Sequence, residues 1–473
     1  MISLRKFATA FVAYLTASAR ARRHHQVIAR QDSTVTSTSI GNVSLPDPEF
    51  VSWGPGVMGG LHRPGDTTDT AKAKIALLVM HAEQDYTTFY PCTELPARGY
   101  ITLCLNNWAS KSRLMNDLAF EDMMENVATG VEYLKNLTDI DKVVIWGHSG
   151  GGAMMAAYQN VAENGASACN GTEKIYPCSP EMDGLPAADG ILLIDANFGL
   201  STMTLLSLNP AITNETAGAD VNETLNLYSE TNGWTENGAN YTSDFYDLFV
   251  QGVAARWNRI LSYAKERNTL IEAGTGDFTD DEGMIIVDSN YLGFNNKFFN
   301  QDIRYLSHTR YAWPLLHKNG TTTQVVPSVR VHSVGVPSMA NSFYDGALKT
   351  TVTRFLETFA IRINEETFGY NATDVLGVEW SSSQTAPIGS VPGISVPLLT
   401  MGNTGHYEYL NAEKIYLAAT TSDKSIAFTE GAQHTIDTCT ECESYPGEYG
   451  NTVKTAFDYM DTWLSAPGRV IDV

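Results

Sequence analysis

The sequence predicts an α/β protein, a mostly parallel sheet with helices on both faces and a large segment inserted late in the chain. Three observations carry that reading. Apolar strand-like runs such as Ile75–Met80, which is uninterrupted, Tyr100–Leu105, Val143–Trp146 and Gly190–Ile194 alternate with helical patterns, as strands buried on both faces do. One run, Val143-Val144-Ile145-Trp146, passes directly into Gly147-His148-Ser149-Gly150-Gly151-Gly152 and then into the helix formers Ala153–Tyr158. The rhythm is lost from about Phe198 to Gly393 and resumes with Val396–Met401 and Ser425–Phe428. Domain organisation follows: 1–30 is a signal peptide and possible propeptide, 31–197 a first part of the core, 198–393 a cap insertion, and 394–473 the second part of the core.

Taken in order, Arg5-Lys6 precede the apolar run Phe7–Leu15, and Ala17-Ser18-Ala19 offers small residues for cleavage, the pattern of a secretory signal. The run is far shorter than the roughly 20 apolar residues a membrane span needs. Arg20-Ala21-Arg22-Arg23 resembles a dibasic processing site. Residues 31–50 are rich in Ser and Thr, and Phe50–Leu61 reads as one or two antiparallel strands broken by glycines. After the Ile75–Met80 strand a short helix is expected within Phe89–Ala97, then the Tyr100–Leu105 strand. Asn116-Asp117 reads as a helix cap. Met124, Val127, Val131 and Leu134 give the helix that follows an apolar face. In the insertion, Phe249–Lys265 and Leu348–Ile363 read as helical patches, and the aromatics, Trp234 and Phe298 among them, read mainly as cap core. The last helix has Val453, Phe457, Met460 and Leu464 on one face.

With 473 residues, 43% hydrophobic and 18% charged, the chain can bury a sizeable core. A formal charge of −22 argues against nucleic acid and anionic membrane as partners. Sequons stand at Asn42, Asn136, Asn170, Asn214, Asn222, Asn240, Asn319 and Asn371, and those from 170 to 240 suggest a decorated surface. The six cysteines fit disulfides in an oxidising compartment. Short spacings favour Cys169–Cys178 and Cys439–Cys442, leaving Cys92 with Cys104. Cys439-x-x-Cys442 lacks a second pair at metal spacing, so neither a metal nor a cofactor is expected.

The chemistry centres on Ser149. A strand, a tight turn G-x-S-x-G and a helix form the context in which a serine is held in a strained backbone with its hydroxyl presented. Such a hydroxyl needs a base, and the base needs a partner to fix its tautomer. Of ten histidines, His434, in a loop just past the last core strand, is the expected base. His406 is its rival. His148 neighbours the nucleophile but faces away from the line of attack, and His81 matters more for its backbone than for its ring.

On these residues the chain resembles α/β-hydrolase fold enzymes. The resemblance rests on the GHSGG elbow and on His81-Ala82, standing where that family often has His-Gly. It rests also on the Arg98-Gly99-Tyr100 approach to a strand and on the terminal strand, loop and His434. It covers about 70–200 and 394–466 and leaves out the cap. It implies a Ser-His-acid triad with Ser149 as nucleophile, and oxyanion donors from the amide of Gly150 and that of Ala82 or Glu83. The acid departs from the usual pattern. After the penultimate strand, where the family commonly has Asp, the chain reads Gly402-Asn403-Thr404-Gly405-His406-Tyr407-Glu408. Some hydrolases of this fold, haloalkane dehalogenases among them, place the acid one strand earlier. Here that slot is Asp195, and a charged Asp at the end of a buried strand needs a partner. Glu408 and Glu413 are the alternatives.

The expected protein is a secreted serine hydrolase, fungal in type, cleaving a carboxylic ester or lactone of a medium-sized organic substrate through an acyl-enzyme. Two other readings stand beside it: an enzyme of a fungal natural-product pathway, cytochalasan-like, assisting condensation or cyclisation, and a non-catalytic binding module on a hydrolase scaffold. The oligomeric state is left open.

Overall fold

The computed structural model describes residues 40, 43–54, 56–65, 69–109, 116–216, 220–278, 280–291, 297–332 and 346–471. The expected signal peptide and the Asn42 sequon lie outside the described residues. Among the described residues no helix is long and apolar enough to cross a membrane.

A ten-stranded sheet organises the chain. Its strands are β1 (Glu49–Ser52), β2 (Met58–His62), β3 (Ile75–Val79), β4 (Ile101–Asn106), β5 (Lys142–His148) and β6 (Gly190–Ile194). The later strands of the same sheet come after β7 (Gly283–Ile286), which lies apart. They are β8 (His308–His317) and β9 (Gly320–Pro327), then, beyond the cap strand β10 (Leu348–Thr351) and two small ladders, β11 (Arg362–Ile363) with β14 (Val378–Glu379) and β12 (Gly369–Tyr370) with β13 (Val375–Leu376), the strands β15 (Leu398–Asn403) and β16 (Lys424–Thr429). The spatial order is β1-β2-β4-β3-β5-β6-β15-β16-β8-β9. From β4 to β8 neighbours run parallel, and antiparallel pairs close both edges. With the strand–turn–helix at Ser149, this is the α/β-hydrolase fold.

Strand period explains the two-sided core. Ala76 and Leu78 join one apolar cluster, while Ile75, Leu77 and Val79 join the other. Every residue of β3 and of β6 is buried, and each large aliphatic side chain so buried contributes about 1.5–3 kcal/mol. The edge strand β1 is mostly exposed. Helices α1 (Pro91–Ala97), α2 (Phe120–Lys135) and α3 (Gly150–Asn164) follow β3, β4 and β5 in turn. On α2 the residues Met124, Val127, Val131 and Leu134 are all buried, as their spacing demands. Asn116 is not its cap: the helix begins four residues later, after Ala119, and the Asn116 side-chain amide donates to Glu83 Oε1 at 3.2 Å.

Beyond α4 (Leu200–Leu206) the insertion is built on α5 (Ser243–Glu272), capped by the Thr242 hydroxyl accepting from the Phe245 amide. At 30 residues α5 is about 45 Å long. Its buried Arg256 donates to the carbonyls of Asn209 and Val287, tying three cap segments together. Two expectations for this region are corrected. Leu348–Ile363 is not one helix. Its first four residues form β10 against β7, where the β-branched Thr350 and Thr351 favour an extended start, and a helical turn begins only at Val352. The β8–β9 hairpin extends the main sheet, pairing with β16 through Phe428–Leu315 and Thr429–Leu316. The chain returns to the core with α6 (Leu410–Ala418) and α7 (Thr452–Leu464), on which Val453, Phe457, Met460 and Leu464 are buried.

Three disulfides join Cys92–Cys104, Cys169–Cys178 and Cys439–Cys442. Of the sequons, Asn136, Asn170, Asn222, Asn240, Asn319 and Asn371 are exposed, and Asn214 is partly so.

Candidate active site

Ser149 sits where β5 turns into α3, with φ at +55°, a region that disfavours residues bearing a Cβ. Only a very small residue allows the turn to close. A Cβ on Gly147 would lie 2.6 Å from the Gly151 carbonyl oxygen, and one on Gly151 would lie 2.6 Å from that of Met80. The closed turn makes Gly150 the first residue of α3, so its amide has no intrahelical acceptor. The turn after β3 lies alongside: a Cβ on Gly150 would meet the His81 ring at 3.4 Å.

His434 reaches Ser149 from the loop after β16, its Nε2 standing 2.9 Å from Ser149 Oγ. Its Nδ1 lies 2.7 Å from Oδ2 of Asp195. Asp195 directly follows β6 with φ at +42°, and its side chain is fully buried, its other oxygen accepting from the Asn403 amide at 2.9 Å. The residues singled out as nucleophile, base and first-choice acid are therefore brought into one hydrogen-bonded chain. Burial alone would raise the Asp195 carboxyl. Hydrogen bonds and charge from His406 and His434 outweigh it and hold the group below the usual carboxylate range.

The loop carrying His434 is pinned from beneath. The Gln433 amide donates to the Asp437 carbonyl at 2.8 Å, and the Cys439 amide donates to that of Gly431 at 2.8 Å. His148 stands 2.5 Å from the His434 carbonyl through Nε2, while its Nδ1 lies 2.6 Å from the Tyr86 hydroxyl. A carbonyl only accepts, so Nε2 of His148 carries the proton and Nδ1 accepts from Tyr86. Burial above all, with the charges of His434 and His406, lowers His148 to about 3. It is a neutral strut under the base. Asn403 adds a second: its side-chain amide donates to the carbonyls of Gln433 and His434 at 3.0 and 3.3 Å.

The remaining candidates separate cleanly. Glu413 is spent on β8, accepting from the amides of Arg310 and Tyr311 at 2.9 Å and from the Trp313 indole at 2.7 Å; it does not reach His434 by any contact in the structure. Glu408 is buried, with Oε2 3.3 Å from Nδ1 of His434. His406, the rival base, packs against His434 with ring centroids 4.3 Å apart and planes tilted by 34°, and places Nδ1 3.5 Å from Asp195. Nδ1 of His81 accepts from the amides of Glu83 and Gln84 at 3.0 and 2.8 Å. The Glu83 amide, one of the two expected alternatives, is thus engaged.

Donor atoms of Asp195, His406, Glu408 and His434 all lie within 4.8 Å of one another. Of these, Oδ2 of Asp195 is bonded to Nδ1 of His434 at 2.7 Å, and Nδ1 of His406 accepts from the Glu408 amide at 3.4 Å. A second grouping, His62 with Cys92 and Cys104, has both sulfurs joined to each other.

Tyr86, Asn403 and Lys297, which is buried and charge-coupled to Glu408, were not visible as site residues in the sequence. Asn403 occupies the end of the strand where an acid is usual, and that position was the one available signal.

No family model and no curated protein matches the chain. Among solved structures it is similar to a soluble variant of monoglyceride lipase from Saccharomyces cerevisiae, at 12% identity and a TM-score of 0.39 over 89% of this chain and 96% of that one. It is similar to α/β hydrolase GrgF from Penicillium sp. sh18, at 10% identity and a TM-score of 0.42 over 89% and 98% of the two chains. Esterase B from Lactobacillus rhamnosis has 8% identity and a TM-score of 0.36 over 97% and 93%.

Proposed function

We propose that the protein is a carboxylic ester hydrolase that works through an acyl-enzyme on Ser149. The observation that carries this reading is the continuous chain Ser149 Oγ, His434, Asp195 at 2.9 and 2.7 Å, on a serine held in strained backbone at a helix start. In this mechanism Ser149 Oγ attacks the substrate carbonyl and its proton passes to Nε2 of His434. Asp195 stabilises the imidazolium through Nδ1–H. The amides of Gly150 and Ala82 hold the developing oxyanion, each such donor supplying about 2.7–4 kcal/mol. Collapse expels the alcohol with the proton from Nε2. Water, deprotonated by the same nitrogen, then frees the acid and restores Ser149.

The substrate class we assign is an ester or lactone of a medium-sized organic acid or alcohol, bound beneath the cap. The chain is further inferred to be secreted and glycosylated; three disulfides and six exposed sequons support this. The test is turnover of p-nitrophenyl esters, from acetyl to dodecanoyl, and of simple lactones by the purified protein. Saturable hydrolysis with a preferred chain length is expected. A folded protein that turns over none of them contradicts the reading.

A further inference from the structure

Two carboxylates face Nδ1 of His434. Asp195 Oδ2 is 2.7 Å away, from the end of β6. Glu408 Oε2 is 3.3 Å away, from the turn after β15. Glu408 is 2% exposed, and its Oε2 has no hydrogen-bond partner. A buried carboxylate oxygen left unpaired costs about 1–3 kcal/mol or more, so its aim at an imidazole nitrogen calls for an explanation. The group is packed in rather than loosely placed. Its own amide donates to Nδ1 of His406 at 3.4 Å, and the His406 ring packs, tilted, against those of Tyr407 and His434 at centroid distances of 4.2 and 4.3 Å.

We propose that Glu408 is a second acid for His434: when ionised it shares the Nδ1 proton with Asp195, and it holds that tautomer when Asp195 cannot. Glu408 acts through His434 and is a positioning residue. This rests on the ester-hydrolase reading and adds that the site carries two interchangeable acids, in the turns after β6 and β15. No chemistry beyond the mechanism above is needed. As Ser149 Oγ bonds to carbon, its proton moves to Nε2, the Nδ1 proton stays on the ring, and the positive charge lies between two carboxylates.

The charge state of Glu408 sets when this operates. The groups facing it are His434 and His406, Asp195, Lys297, Tyr407 and Tyr86. Burial, reinforced by the Asp195 charge and opposed by His434, Lys297 and Tyr407, raises its carboxyl above the ordinary 4.5. In native protein the second acid is therefore neutral at acidic pH and becomes charged as pH rises. Replacing Asp195 by Asn removes one of the charges that push it up, so in that variant Glu408 ionises at lower pH.

The test is a double-mutant cycle of Asp195→Asn and Glu408→Gln, reading kcat/KM for a p-nitrophenyl ester from pH 5 to 9, with Ser149→Ala alongside. A triad with one acid loses about 10⁴-fold on such an Asp→Asn change. Asp195→Asn is expected to lose about 100-fold or less at alkaline pH, with activity rising through one ionisation. The double variant is expected to fall at least tenfold further and to lack that rise, a coupling that independent positions do not show. Single and double variants of equal activity and equal pH profile overturn the second-acid role while Ser149→Ala remains inactive. If Ser149→Ala keeps turnover, both readings fall. Should Asp195→Asn not fold, the downfield proton resonance of Nδ1 in otherwise native protein decides. It is expected to shift as Glu408 ionises and to lose that shift in Glu408→Gln; an unchanged titration overturns the proposal.

Discussion

Ser149→Ala is expected to lower ester turnover by about 10⁴-fold or more while leaving thermal unfolding within a few degrees of native. The hydroxyl is the only group at the elbow that can carry the acyl chain. Its removal leaves the oxyanion amides and the binding pocket, which supply only the residual catalysis seen when a triad member is lost. The fold gives up little. Alanine keeps the Cβ that serine already carries at φ +55°, and one hydrogen bond of 2.9 Å to a half-exposed imidazole disappears, a contribution of about 1 kcal/mol. Turnover with the substrate saturating and melting followed on the same sample check both halves. Activity within tenfold of native in a folded variant excludes Ser149 as the nucleophile.

His434→Ala is expected to be as damaging to turnover, because residues acting as a unit are not additive. The Ser149→Ala/His434→Ala pair should be scarcely worse than either change alone. Stability separates the two. Without His434, the buried Asp195 carboxylate retains the Asn403 amide at 2.9 Å and His406 at 3.5 Å but loses its shortest partner, so this variant should melt earlier than Ser149→Ala. His406→Ala is expected to be milder in turnover, since it touches the chain through the His434 ring, Asp195 and Glu408 and not through Ser149. Kinetics on the three variants check the order. A crippled His406→Ala beside an active His434→Ala reverses the assignment of the base.

The nucleophile was legible because its signal is local. A buried strand, a glycine-flanked serine and a helix leave one way for the chain to turn, and the collisions that a Cβ on Gly147 or Gly151 would cause show why those glycines are there. Asp195 was legible for a similar reason, as a charge at the end of a wholly apolar strand. Its competition with Glu408 was not resolvable from the sequence. Each follows one of two neighbouring strands, Asp195 directly after β6 and Glu408 in the turn after β15, and the structure brings both to the same nitrogen. Glu413, the fourth residue of α6, looked equivalent, yet the helix turns it away toward β8.

Supports made by long-range packing left no trace in the sequence. His148 and Tyr86 are 62 residues apart, and Asn403 lies 31 residues from the carbonyl it holds. The β8–β9 hairpin was hidden inside the insertion because its parallel pairing with β16 involves two residue pairs only, too little to stamp an apolar run on the chain. The segment after Leu348 misled for the opposite reason. Leu348, Val352, Phe355 and Phe359 are all buried at helical spacing, but the β-branched residues between them favour the extended start that is found.

The central claim, that His434 activates Ser149 as a nucleophile, is tested most directly by mapping the site of covalent labelling with a fluorophosphonate. Native protein is expected to gain one phosphonyl group on the peptide containing Ser149. Labelling should slow by orders of magnitude in His434→Ala and vanish in Ser149→Ala. Label on a different serine, or ester turnover by protein whose Ser149 is never modified, contradicts the account.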